Sequence, residues 1–389
     1  MRARVGAHPP VVGLPGAALE KGWESAALVA AAMILLAFGL VSLWSASAFL
    51  ARAADQPEHF FVLRQATGAA VGLVVLAVCA RIPSAWWRAL AWPLMLCTIV
   101  LLILVIIPAT IGIAPEINGA RRWINLGVTF QPSEFAKIAV LIWTAHMAVR
   151  KQGHFHSFRF GLGPFLIVWG AVLIPVVLQP DLSTAILIGV LGAIVVFLAG
   201  GRLAHFAFLG VLTAPVLWIF VGSGFRLGRL LAFFDAAADP SGAGYQVQQS
   251  LIAVGSGGLT GVGFGEGRQK YGFLPEPHND FIFSMIGEEW GLFGVSIVVT
   301  LYLAIVLVGF RIARRAADPF AQLLAAGLSS LIGLHAFLHM AVGLGLVPTT
   351  GLPLPLISYG RSNLVVTLIA IGILMSIARE ATGLRGARG

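Results

Sequence analysis

Residues 27–50 read ALVAAAMILLAFGLVSLWSASAFL, without one charged side chain. A helix needs roughly 20 apolar residues to cross the ~30 Å hydrocarbon core of a bilayer, and this run is long enough. It is too long for the core of a signal peptide, and no small-residue cleavage site follows it, so it is expected to remain as a helix. Comparable runs recur at 62–81, 89–108, 133–149, 163–179, 182–200, 204–222, 282–310, 321–345 and 363–378. The sequence therefore predicts about ten crossings.

Composition agrees. Hydrophobic residues make up 58% of the 389 and charged residues 11%, with a mean hydropathy of +0.92, against about 25% charged in soluble domains. Such a chain cannot clothe a water-facing surface. The expected class is all-α: a polytopic inner-membrane bundle forming a single membrane domain over 25–380. Tails at 1–24 and 381–389 flank it, and a long extracytoplasmic loop, 222–280, joins the seventh and eighth helices. The net charge of +9 does not point to nucleic acid, because the basic residues sit in small clusters between apolar runs. Cys79 and Cys97 both fall within apolar runs and offer neither a disulfide framework nor a CxxC metal site.

Basic residues also set orientation. One set of loops, with both termini, collects fifteen of the 25 Lys and Arg residues, and the opposite set ten, four of those in the long loop where the rule weakens. Both termini are expected in the cytoplasm. Twelve of the 16 acids, among them Glu116, Glu134, Asp181, Asp235, Asp239, Glu276 and Asp280, fall on or near the outer side. Acids do not steer insertion, so the skew suggests that polar chemistry faces outward. Within the long loop, Val247, Leu251 and Val254 recur at helical spacing beside glutamines and Ser250, which predicts a short helix on the membrane surface. Residues 255–267 are glycine-rich and read as flexible backbone.

Ionisable groups at membrane level are functional candidates. In Asn118–Asn125 and Gln131–Lys137, Pro132 marks a helix start with Ser133 and Glu134 in its first turn. Glu134 and Lys137, three apart, suit an ion pair. The adjacent guanidiniums of Arg121 and Arg122 suit phosphate oxygens. The segment 179–184, Gln-Pro-Asp-Leu-Ser-Thr, reads as a turn whose Asp181 caps the next helix. The richest stretch is 268–283, RQKYGFLPEPHNDFIF, followed by Gly287-Glu-Glu-Trp-Gly291. Asp280 stands just before a long apolar helix, where it suits both an N-cap and catalysis at the membrane boundary. Glu288 and Glu289 lie deeper and read as polar contacts inside the bundle. Residues 261–267 look like a nucleotide loop but follow no strand. His335 and His339 lack the acid of an HExxH site and read as packing residues.

These segments resemble the SEDS family of cell-wall polymerases, which includes FtsW, RodA and sporulation relatives. The match runs from Arg121-Arg-Trp-Ile and Gln131-Pro-Ser-Glu-x-x-Lys137, through Gln179-Pro-Asp-Leu, Gly244-Tyr-Gln and Pro275-Glu-Pro-His-Asn-Asp-Phe-Ile. It ends with Gly345-Leu-Val-Pro-x-Thr-Gly-Leu-Pro-Leu-Pro and Ser358-Tyr-Gly, in family order over roughly 118–376. The wording around Lys270–Asp280 is closer to FtsW than to RodA. Two positions depart from the pattern: Arg361 replaces a glycine, and His339 stands where the family usually has Asn.

The resemblance implies a glycosyltransferase that polymerises lipid II with undecaprenyl diphosphate as leaving group, for septal wall synthesis in cell division. Asp280 maps to the family's essential aspartate. A carboxylate taking the proton of a sugar 4-hydroxyl makes a competent nucleophile. A diphosphate leaves without protonation when cations neutralise it, so one carboxylate suffices, and direct displacement implies inversion. Arg121, Arg122, Lys137, Arg268 and Lys270 are the candidate cations, with Glu134, His278, Ser358 and Arg361 as further substrate contacts. A divalent cation, Mg or Mn, could assist; no other cofactor is expected. Expected partners are a class B penicillin-binding transpeptidase, other division membrane proteins and the bilayer itself. A lipid II flippase and a non-catalytic division scaffold are the competing readings.

Overall fold

No water reaches backbone amides inside a bilayer, so an apolar run must satisfy its own N–H and C=O groups, and a helix does so within one segment. The computed structural model describes residues 23–107, 112–116, 119–125, 127, 129–222, 225–234 and 242–386. Most of the 1–24 tail, the end of the 381–389 tail, Asn118, Asp235 and Asp239 lie outside the described residues. In chain order the elements are α1 (Trp23–Ala53), α2 (Phe60–Cys79), α3 (Ser84–Ala89), α4 (Ala91–Ile106), β1 (Ile124–Asn125), β2 (Thr129–Phe130), α5 (Pro132–Lys151), α6 (Gly163–Leu178), α7 (Leu182–Leu198), α8 (Leu203–Val221), α9 (Phe225–Phe234), α10 (Ala243–Gly257), α11 (Ile282–Arg315), α12 (Pro319–Gly343) and α13 (Arg361–Gly386).

Ten of these helices coincide with the ten expected runs. Among the described residues, α1, α2, α11, α12, α13 and α6 with the π-turn before it are long and apolar enough to span a bilayer. The shorter α4, α7 and α8 are also apolar. In α5, Glu134, Lys137, Arg150 and Lys151 dilute the apolar signal, yet most of the helix is buried. The most apolar stretches of α12 and α13 are each 72% buried, against 22% for α2. Together with α5, α12 and α13 therefore form the interior, and α2 lies at the rim. Small residues let the helices close up: a side chain at Gly39 would meet the Ile357 backbone at 2.7 Å, and one at Gly372 the Leu76 carbonyl at 2.7 Å.

Loop contacts sort the connections into two ends. At one end Glu24 meets Arg311 and Arg315, Arg88 meets Asp318, and Ser84 donates to Glu380. At the other, Arg122 reaches the 179–180 turn, Arg229 reaches Thr349, and Ser358 reaches Asn279.

The long connection departs from expectation. Helix α10 buries Gly244, Val247, Ser250, Ala253 and Gly257 and packs that face against α11, a contact its sequence did not announce, leaving Leu251 and Ile252 outside. The glycine-rich stretch is not loose backbone either. α11 breaks at Gly291 (φ 62°, ψ −160°), and residues 258–263 run into the break. The amides of Val262 and Gly263 donate to the Glu288 and Glu289 carbonyls at 3.0 and 3.2 Å, and those of Leu292 and Phe293 donate to Gly258 and Leu259 at 3.0 and 3.1 Å. A neighbouring segment thus satisfies the groups that the broken helix exposes. Glycine is required for this approach. A Cβ at Gly261 (φ +83°) would lie 2.1 Å from the Glu289 carbonyl, and one at Gly257 1.9 Å from that of Gly287.

Candidate functional site

Asp280 does not cap α11. Phe281 occupies the N-cap position, with no side-chain cap, and Asp280 stands one residue outside in a tight turn closed by the Asn279 and Asp280 amides on the Glu276 carbonyl, both at 3.1 Å. Glu276 at that corner has φ +50°, a strained conformation for a non-glycine residue. Asp280 Oδ1 is buried and has no hydrogen-bond partner. Composition left capping and catalysis equally open for this residue. The turn geometry removes capping.

The turn is held firmly on one side. Tyr359 N–H donates to the His278 carbonyl at 3.1 Å, and Ser358 Oγ donates to the Asn279 carbonyl at 2.7 Å. Gln65 of α2 ties down that strap through Ser358 O and Gly360 N–H. The buried His278 ring packs against Phe61 and Tyr359, with centroids 4.8 and 5.7 Å away. Opposite lies the loop after α12. The backbone of Gly351 (φ +69°) faces Asp280 closely enough that a Cβ there would sit 3.7 Å from Oδ2. His339 Nδ1 bonds the Leu352 carbonyl at 2.7 Å, and Arg229 Nη1 donates to the Thr349 carbonyl at 3.4 Å.

Electrostatics complete the site. Burial, reinforced by the Glu276 charge, raises the Asp280 carboxyl to about 6, while the guanidiniums of Arg229 and Arg122 pull the other way. Burial also raises Glu276 and lowers His278 to about 4, so His278 is neutral near pH 7. Arg122 is aimed by two donations, Nε to Gln179 O at 2.9 Å and Nη2 to Pro180 O at 2.8 Å. That turn is itself fixed by Asp181 Oδ1 capping α7 at Thr184 N–H.

The structure brings Asp280, His278, Ser358 and Arg122 together, and adds Glu276 and Arg229. The other sequence candidates lie elsewhere. Lys137 is fully buried, 2.8 Å from Glu134 Oε2, which also accepts from Asn363 Nδ2 at 2.9 Å. Lys270 Nζ is engaged inside the bundle by Glu289 at 2.9 Å, Ser45 Oγ at 2.9 Å and Gly265 O at 2.6 Å. Arg121 lies 3.7 Å from Glu116, and Arg268 is exposed, its backbone amide donating to Glu288. Arg361 Nη2 donates to Thr129 Oγ1 at 2.6 Å and, with Ser362 accepting from Gln131 N–H, fastens the β-hairpin to the start of α13. Arg229 escaped sequence reasoning because it served there only as one topology charge in a long loop. The mark that could have found it is its place in a basic, amphipathic ten-residue helix.

Among the described residues no three His, Cys, Asp or Glu side chains gather as a self-sufficient metal site. A divalent cation here would have Asp280 and Glu276 at most and would draw its remaining ligands from substrate oxygens and water, a mode that suits Mg²⁺.

Comparison with known proteins gives a consistent result. The family described as Cell cycle protein, which groups FtsW, RodA and SpoVE, matches residues 25–383. A probable peptidoglycan glycosyltransferase FtsW from Geobacter sulfurreducens is 41% identical over 354 residues, 90% of this chain and 94% of that protein. Stage V sporulation protein E from Bacillus subtilis is 38% identical over 355 residues, 90% and 96% respectively. Among solved structures, a chain from work on the structural coordination of polymerization and crosslinking by a peptidoglycan synthase complex superposes with TM-score 0.75. It has 28% identity and covers 93% of this chain and 99% of its own. The rod shape determining protein RodA of Thermus thermophilus matches at TM-score 0.67 and 27% identity, covering 93% and 98%.

Proposed function

Since this chain belongs to the FtsW, RodA and SpoVE family of cell cycle proteins, we propose that it is a peptidoglycan glycosyltransferase that polymerises lipid II, with Asp280 as general base. The buried, unpartnered Oδ1 of Asp280, within electrostatic reach of the Arg229 and Arg122 guanidiniums, carries this reading. A carboxylate raised to about 6 is largely ionised at neutral pH yet basic enough to accept a proton. In the reaction the acceptor's 4-hydroxyl gives its proton to Asp280 as its oxygen bonds to the donor's anomeric carbon. The carbon–oxygen bond to the diphosphate breaks, and the lipid diphosphate departs with the electron pair. Charge grows on that leaving group, and Arg122 and Arg229 would neutralise it. In-line displacement inverts the anomeric centre. A divalent cation, if bound, would supply further charge neutralisation at the phosphates.

The same reading puts the Asp280 end of the bundle on the outer face and both termini in the cytoplasm, in line with the Lys and Arg bias. It also makes a class B transpeptidase the expected partner, because the polymer it produces must be crosslinked. A flippase would carry its polar groups along a water path at mid-depth. Here Glu134 and Lys137 are 3% and 0% exposed and bonded to each other, which favours the enzyme.

The test is to reconstitute the purified protein with labelled lipid II, with and without a cognate transpeptidase. The expected result is glycan strands and released lipid diphosphate. Transbilayer movement of lipid II with no polymer under either condition would overturn the proposal in favour of a flippase.

A further inference from the structure

Buried polar atoms without partners are uncommon in folded proteins and call for an explanation. Four of them lie on two segments that meet at the site: His278 Nδ1 and Asp280 Oδ1 on one, Thr349 Oγ1 and Thr350 Oγ1 on the other. The contact of Gly351 with Asp280 brings the segments together, and the Arg229 bond to the Thr349 carbonyl anchors the second segment from α9. Each hydroxyl can donate one hydrogen bond and accept others, and the carboxylate can only accept. A ligand that satisfies all of them must offer both donors and acceptors. A sugar bearing hydroxyl and amide groups has that chemistry, and a phosphate, which is acceptor only, does not.

We infer that Thr349 and Thr350 are positioning residues that hydrogen-bond the acceptor sugar and aim its attacking hydroxyl at Asp280. The inference rests on the polymerase reading and names residues for that same site. It has a consequence that separates it from a structural role. A buried hydroxyl with no partner is a cost to the protein alone, so an isosteric Thr→Val change should leave stability unchanged or raise it. The bonds would exist only with substrate, so the loss should fall on substrate use.

The experiment compares Thr349→Val, Thr350→Val, Thr349→Ser and Thr350→Ser in the full-length protein, measuring thermal midpoint and lipid II polymerisation kinetics. At least one valine variant should keep its thermal midpoint and raise KM for lipid II about five- to tenfold, the loss of about one neutral hydrogen bond. The matching serine variant should return toward the parent value. Valine variants that keep parental kinetics, or that lose midpoint and activity together, overturn the inference. Asp280→Asn, run in parallel, keeps the two levels apart. If the parent makes no polymer, the polymerase reading has failed; if Asp280→Asn polymerises normally, its role as general base has failed; if it is dead while both valine variants behave as parent, only this inference has.

Discussion

At the residue scale, the chemistry turns on how unlike its neighbours Asp280 is. Glu134, Glu288 and Glu289 are buried carboxylates too, but each has a partner: Lys137 and Asn363, the Arg268 and Gln269 amides, and Lys270 with Ser45. Asp280 Oδ1 has none. Its raised carboxyl means that the folded protein holds this proton more tightly than the unfolded chain does. The associated stabilisation is therefore complete below the unfolded value of about 3.9 and lost as pH rises through about 6. Catalysis needs the opposite form. The rate of polymerisation should rise with pH through a midpoint near 6 and then level off. Glu276 raises that midpoint, so Glu276→Gln should move it to lower pH, read from kcat/KM profiles of parent and variant. A midpoint that stays put or moves upward would contradict the assigned electrostatics.

At the element scale, the ten membrane helices were legible because each apolar run ends at charges, prolines or glycines that cannot continue it into lipid. The 222–280 connection was far less so. Its residues show a helical spacing, which is why α10 could be expected, but its packing partner is the break at Gly291, and that contact is tertiary. Glycine-rich sequence reads equally as slack or as tight approach. Only the distances distinguish them. Arg229 and the internal role of Lys270 were hidden for the same reason, since a charge does not announce its partner from 19 or 120 residues away. The glycines offer a contrast within one helix. Gly255 of α10 has open space where a Cβ would go, and Gly257 does not. Gly255→Ala should stabilise by up to about 1 kcal/mol through helix propensity. Gly257→Ala must push the Gly287 carbonyl aside and should cost about 1–3 kcal/mol, read as a lowered thermal midpoint. Equal effects from both would mean that α10 does not seat on α11 as described.

At the scale of the whole molecule, the bundle has two dissimilar ends. One is closed by ion pairs and capped helix termini around Glu24, Asp318 and Glu380. The other holds a carboxylate with an unpartnered oxygen on a strained turn, two guanidiniums that act on it, and unbonded hydroxyls on the facing loop. Such a division fits an enzyme that works from one face of a membrane on a lipid-borne substrate, with buried ion pairs holding the interior. The family resemblance pointed to Asp280 from sequence. The arrangement that gives the residue a reason to be basic, burial beside the charge of Glu276, came from the fold. The direct test is lipid II polymerisation by purified Asp280→Asn beside the parent, with thermal midpoints measured on both. The account expects an unchanged or higher midpoint and a rate lower by about 10²-fold or more. Polymerisation at the parent rate would contradict it.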